Sequence, residues 1–232
     1  MKKTHALTSS IAVCFFLILQ SCSKNKDDNS GQTGTVTDVD GNVYSTITIG
    51  SQTWMTENLK TTRYNNGDTL VHTVDSADWD DLLTGAYTSY YDDVNTHVPV
   101  YGRLYNWHAA HDARNIAPVG WHVPSEVEWQ TLINHLGGIA EAGGKMKTVS
   151  SLWLSPNEGA DNSSGFSALP GGYRHYNGKC TGMSEQAYWW SSTARTDDDQ
   201  YAYYFTLLYN YAVANENNNH KEDLMSLRCV KD

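Results

Sequence analysis

Gly120 to Gly138 reads GWHVPSEVEWQTLINHLGG, and local chemistry specifies this stretch almost completely. Ser125 with Glu128 three residues on forms a capping box. The hydroxyl accepts from an early helical N–H, and the carboxylate reaches back to the serine's own N–H. Trp129, Leu132, Ile133 and Leu136 then fall at i, i+3, i+4 and i+7, a single apolar stripe along a helix. Gly137 and Gly138 stop it, because glycine takes the left-handed turn that closes the last carbonyls. The rest of the chain breaks into short strands, turns and aromatic loops that need such a helix to pack against.

A length of 232 residues suits a leader followed by one domain with a core of useful size. Aromatic residues are mainly the kinds with a polar handle, 8 Trp and 15 Tyr against 4 Phe, which suits a wet, loop-rich surface. The net charge of −10, with no Lys/Arg cluster, argues against a nucleic-acid partner, whose phosphates require a basic patch.

The first residues set the expected address. Lys2 and Lys3 precede an apolar run, Ile11 to Leu19, that is well short of the roughly 20 residues a spanning helix needs. Residues 1–21 therefore read as a secretory signal peptide. Leu19-Gln20-Ser21-Cys22 resembles a bacterial lipobox, which implies a lipid anchor on Cys22 and an outer-membrane location. Residues 22–35 hold no apolar side chain after the cysteine and read as a disordered tether. Their Lys-Asp-Asp run looks like an export signal for the cell surface, although any solvated linker fits the same residues. Cys180 and Cys229 are the thiols left in the folded part. In an oxidising compartment they are candidates for a disulfide, and two free thiols fit the spacing as well.

Along the folded part, Asp40-Gly41 between two apolar runs signals a two-residue hairpin. Val43 to Ile49 alternates as a strand, and Gln52 to Met55 returns, opening a β-meander. The acidic stretches Asp75 to Asp81 and Asp92-Asp93 lack the ligand spacing of a calcium loop and read as solvated loops. Ser155 to Gly165 is a polar loop rich in oxygen donors. It satisfies itself or holds a structural calcium, the one cofactor the residues suggest. Trp107 to Ala113 reads as a short helix bearing His108 and His111. With His122 and Asp112 these invite a zinc reading, but without an HExxH or a cysteine pair, hydrogen-bonded histidines explain them better. Gly143 to Lys147 reads as a bend, Phe166 to Arg174 as a short strand ended by Pro170-Gly171-Gly172, and Asn215 to Asn219 as a hairpin tip. Tyr188 to Thr193, Tyr201 to Leu208 and Leu224 to Val230 read as strands. Flat rings beside amides are what a sugar site uses, so Tyr173, Arg174, Trp189, Trp190 and Asn217 are the candidate ligand-binding residues. Paired core tryptophans explain Trp189 and Trp190 equally well.

Taken in order, DGNVYSTITIGSQTWMTENLKTTRYNNGD, YGRLYNWHAA, PVGWHVPSEVEWQTL, GGKMK, NSSGFSALPGGYR, YWWSST and SLRCVKD resemble the Fibrobacter succinogenes major paralogous domain. The resemblance runs over residues 36–232 and implies a secreted or lipidated bacterial surface protein, in a family without an established activity. Gly120 to Trp129 and Leu227-Arg228-Cys229 are more distantly similar to formylglycine-generating (sulfatase-modifying) enzymes. That similarity implies an α+β, C-type lectin-like fold with one main helix, many short antiparallel strands and long loops. Those enzymes bind copper through a nearby cysteine pair, and no such pair is recognisable here. The Glu-Pro-Asn or Gln-Pro-Asp loops and the Trp-Asn-Asp strand of calcium-dependent lectins are also lacking. The leading expectation is a non-catalytic surface lipoprotein that binds an extracellular protein or glycan. An oxidase-like enzyme using Cys180 and Cys229, and a structural subunit of a surface fibre or envelope complex, are the alternatives.

Overall fold

The computed structural model describes residue 1, residues 31–73 and residues 82–232. The expected leader, Cys22 and most of the tether lie outside the described residues, as does the acidic stretch 75–81. Among the described residues, no helix is long and apolar enough to cross a membrane.

The expected meander forms, with β1 (Thr33–Thr37), β2 (Val43–Ile49) and β3 (Gln52–Met55) paired antiparallel. Two late-joining strands, β13 (Val230–Lys231) and β7 (Trp121–His122), extend this sheet in the order β1-β2-β3-β13-β7. β1 starts at Thr33, so order begins before the end expected for the tether. The β1–β2 connection is also longer than a two-residue turn, because Thr37 pairs with Val43. Asp38 explains the difference. Its carboxylate accepts from the N–H groups of Asp40 and Asn42, from Asn42 Nδ2 at 2.8 Å and from the Tyr44 hydroxyl at 2.6 Å, so the loop folds around one buried acid.

The second sheet runs in the order β12 (Ala214–His220), β11 (Tyr201–Leu208), β10 (Gln186–Ala194), β8 (Gly171–Arg174) and β9 (Cys180–Met183). A third, small sheet joins β4 (Val71–His72), β5 (Ala86–Thr88) and β6 (Leu104–Tyr105). Asn215 to Asn219 is therefore not a tip but part of an edge strand, in register with Tyr201–Leu207 of β11. Gly171-Gly172, just after Pro170, likewise begins β8 rather than ending a strand. Of the expected closing strand, Leu224 to Val230, only Val230 lies in a regular strand, at the start of β13. The residues before it, Leu224, Met225 and Ser226, make single bridges to Arg174, Tyr105 and Trp189.

Among the described residues, four α-helices stand between these strands: α1 (His97–Tyr101), α2 (Trp107–His111), α3 (Glu126–His135) and α4 (Ile139–Met146). α3 is the anticipated element. Both halves of its capping box are present, and Trp129, Leu132, Ile133 and Leu136 are all buried. α4 was not anticipated, since Gly143 and Gly144 look like a bend. Their lack of a Cβ serves close packing instead: a Cβ on Gly143 would stand 2.4 Å from the Val213 carbonyl oxygen, and one on Gly144 2.4 Å from that of Gly159. At its end, buried Lys147 donates to the carbonyls of Glu158, Leu208 and Tyr211 at 2.8–2.9 Å, which ties the 155–165 loop and the β11–β12 connection to one ammonium. Burial lowers its pKa from 10.5 to about 8.

The molecule is thus sheet-rich with few helices, α+β in the broad sense. Its apolar side chains gather in three clusters. One centres on Tyr105, Trp107, Trp190 and Met225, and a second on Trp54, Trp129, Phe166 and Trp189. The third holds Tyr90, Leu104, Cys180 and Leu224. The short run from Leu224 to Val230 contributes to all three. Cys180 and Cys229 fall in different clusters and are free thiols, so the proposed disulfide is corrected. Cys180 Sγ instead accepts the Tyr91 N–H at 3.3 Å, and burial raises the pKa of both thiols.

Candidate ligand-binding cleft

The ligand-binding residues expected from sequence do not form one surface. Strand alternation sends Trp189 and Trp190 to opposite faces of β10, into the second and first clusters respectively, and each is buried to within 1%. Their indole N–H groups are spent inside, on Asn58 Oδ1 at 2.8 Å and on the Tyr105 carbonyl at 3.0 Å. Neither ring is a platform for a ligand. Arg174 is also buried; its guanidinium bonds Asp92, Thr88 Oγ1 and the Gly178 carbonyl, which ties β8 to the turn Tyr90–Asp92. Tyr173 and Asn217 do lie near the surface. Tyr173 packs on Tyr188 (4.7 Å between ring centres), Tyr188 on Tyr204 (5.7 Å), and Asn217 is the register partner of Tyr204. The result is a row of half-buried tyrosines across the second sheet, with an exposed amide at its edge.

The histidines and acids weighed for metals also separate. His111 stacks on Trp107 at 4.5 Å and meets the Ser192 carbonyl, while Asp112 pairs with Arg114 at 2.7 Å. His122 lies between two carboxylates, Glu128 at 2.7 Å from Nε2 and Asp232 at 2.6 Å from Nδ1. Burial pulls this imidazole's pKa down, but its hydrogen bonds to the Asp232 and Glu128 carboxylates outweigh it and leave it raised. In the 155–165 loop, Asp161 accepts from the Ser163 N–H and Asn162 from the Ser167 N–H, so part of its oxygen supply closes its own turns. Among the described residues, no group of three or more His, Cys, Asp or Glu side chains could hold a metal ion.

What the fold does assemble is a polar cleft of about 440 Å³, within the range of small-ligand pockets. It is built from five segments. Leu83 precedes β5, α2 supplies His108, the β8–β9 turn supplies Tyr176, Asp199 and Gln200 precede β11, and His220 ends β12 with Lys221 and Glu222 just after it. Asn106 caps α2 by accepting from the Ala109 N–H, which fixes the helix that presents His108. The sheet register does the rest: Tyr201 pairs with His220, and the phenol meets His220 Nε2 at 2.9 Å. Tyr176 crosses the His220 ring edge to face, with 5.6 Å between ring centres and 66° between planes.

The charges in the cleft are uneven. Lys221 is already engaged, donating to the Asp199 carbonyl and lying 4.5 Å over the Trp107 ring. Glu222 sits 4.0 Å from His220 Nδ1. One residue on, Asp223 is fully buried and accepts from the Tyr176 N–H at 2.8 Å and from Asn219 Nδ2. Burial pushes its carboxyl upward, against the opposing pull of the Tyr176 N–H and of His175 and His220. His108 is shifted downward by burial, which keeps its imidazole neutral near pH 7. Its Nε2 is buried with no hydrogen-bond partner among the described residues.

Chemically, the cleft offers fixed donors, fixed acceptors and two ring faces. No serine, threonine or cysteine among its lining residues stands ready as a nucleophile. Sequence reasoning weighed His108 for a metal, preferred hydrogen-bonded histidines, and did not single out the other lining residues. They are ordinary polar side chains in separate segments, and only the β11–β12 register and the β8–β9 turn bring them together.

No curated protein and no solved structure matches this chain. The model of the Fibrobacter succinogenes major domain matches residues 47–231, which takes in every helix, the second and third sheets and the whole cleft. The chain belongs to the Fibrobacter succinogenes major domain family.

Proposed function

We propose that this protein is a non-catalytic, lipid-anchored surface protein whose lectin-like domain binds an extracellular glycan or protein in the cleft between α2, the β8–β9 turn and the end of β12. The observation that carries this reading is the cleft itself. It is open and small-ligand-sized, lined by polar and aromatic side chains beside Leu83, and no serine, threonine or cysteine is among its described lining residues. The lectin-like part of the reading is supported by few helices among short, largely antiparallel strands and long loops. The surface part is supported by the leader and lipobox at residues 1–22 and by the polar stretch that follows.

The cysteines do not favour the oxidase alternative, because Cys180 and Cys229 belong to separate clusters rather than a two-sulfur pair. To test the binding reading, the full-length protein is purified in detergent micelles and applied to arrays of glycans and extracellular proteins. Saturable binding to at least one class is expected, and silence on both arrays defeats the reading. Protease shaving of intact cells, compared between the natural chain and Cys22→Ser, tests the anchor and its side. The natural chain is expected to be cell-bound and cleaved, and the variant to be released.

A further inference from the structure

We infer that the cleft takes a neutral sugar residue at the end of a glycan chain; this rests on the binding reading above and narrows it. The rings come first. Tyr176 and His220 meet edge to face and form a corner of two flat walls. The C–H face of a pyranose packs against one such wall while its hydroxyls point away from it.

The polar groups around that corner suit hydroxyls. Gln200 offers a donor and an acceptor on one planar amide. Glu222 offers a carboxylate that is 21% exposed and bears two acceptor oxygens, a match for neighbouring hydroxyl donors. His108 also lines the cleft, and its ring adds a third flat side chain to the wall.

Charge then disfavours anionic sugars. The cleft's ammonium, on Lys221, is held at the Asp199 carbonyl and over the Trp107 ring, and the carboxylates of Asp199 and Glu222 outnumber it. A sialylated or sulfated glycan would bring an anion to a site with acceptors in excess and no guanidinium fork. A cationic amine on a peptide is the remaining competitor. It gains from Glu222 and Asp199 but leaves the ring corner without a matching flat surface.

The test uses the full-length protein in micelles, titrated calorimetrically and by saturation-transfer NMR. The probes are neutral hexoses, N-acetylhexosamines and their disaccharides, their sialylated or sulfated counterparts, and a lysine-bearing peptide. A neutral saccharide is expected to bind. Glu222→Ala and Gln200→Ala, both changes at the surface, are expected to weaken it by about tenfold or more. Tyr176→Ala should abolish the transfer signal, and Glu141→Gln on α4 should change nothing. The unaltered circular dichroism of each variant excludes misfolding. Neutral-sugar binding that survives all three cleft variants overturns the placement. Binding of only anionic glycans or only the amine peptide overturns the ligand class but keeps the binding reading. Silence with every saccharide and peptide here, beside a positive protein array, overturns the sugar inference alone, whereas silence on all arrays removes both.

Discussion

Arg228, only 1% exposed, is held by Asn58: its Nε and Nη2 donate to Asn58 Oδ1 at 3.0 and 2.7 Å. Trp189 Nε1 donates to the same oxygen at 2.8 Å, and the Asn58 amide nitrogen donates to the Tyr101 carbonyl and Ser226 Oγ. One buried amide thus serves five bonds, three of them on a single oxygen. Asn58→Ala leaves a buried guanidinium and an indole N–H short of acceptors. We expect it to destabilise the fold by about 3 kcal/mol or more, read from urea denaturation midpoints. A loss below about 1 kcal/mol would contradict the role given to this amide.

The His122 clasp predicts a pH window. A raised imidazole pKa contributes fully below the unfolded value of 6.5 and is lost as pH rises through the folded value. In Glu128, burial pushes upward, but the Ser125 and His122 hydrogen bonds outweigh it and leave the pKa lowered. That contribution is present above 4.5 and is lost as pH falls through the folded value. The joint contribution is therefore greatest between about 4.5 and 6.5. Thermal melts from pH 4 to pH 9 should show a decline above 6.5 that His122→Gln flattens. An equal decline in that variant would assign it to other groups.

Gly143→Ala reverses the usual rule for helices. In an exposed helix interior this change gains roughly 1 kcal/mol. Here the new methyl would meet the Val213 and Ala212 carbonyl oxygens at 2.4 and 2.7 Å, both backbone atoms that cannot swing aside. Alanine should lower the melting temperature, and a rise would mean that α4 does not press so closely on the segment before β12.

Cys180 and Cys229 should behave as buried free thiols. Alkylation of the folded protein without reductant is expected to leave both unmodified, and denaturation without reductant should make both reactive by peptide mass mapping. A Cys180–Cys229 cross-linked peptide would restore the disulfide.

How much of this was legible depends on the range of the interaction responsible. α3 was readable residue by residue because its cap, stripe and glycine stop all lie within 14 residues, Ser125 to Gly138. The meander was readable from alternation. β12 was not: Asn215, Asn217, Asn218 and Asn219 carry no strand propensity, and the register of β11 alone holds them extended. Gly143 and Gly144 misled because what they accommodate lies in backbone far along the chain. Trp189 and Trp190 looked available for a ligand because one sequence cannot reveal that β10 is covered on both faces. The cleft was invisible for a related reason, since Tyr176, Gln200 and Glu222 become neighbours only once the second sheet has formed and α2 has packed against it.

The run from Leu224 to Val230 acts as a keystone. Leu224 enters one apolar cluster, Met225, Leu227 and Cys229 another, and Val230 the last, while Arg228 between them is locked to Asn58. Withdrawing this shared peptide removes side chains from every cluster at once. Melting is therefore expected in one step, with fluorescence and circular dichroism transitions that coincide and no half-open form that would offer the tryptophan-rich interior to proteases.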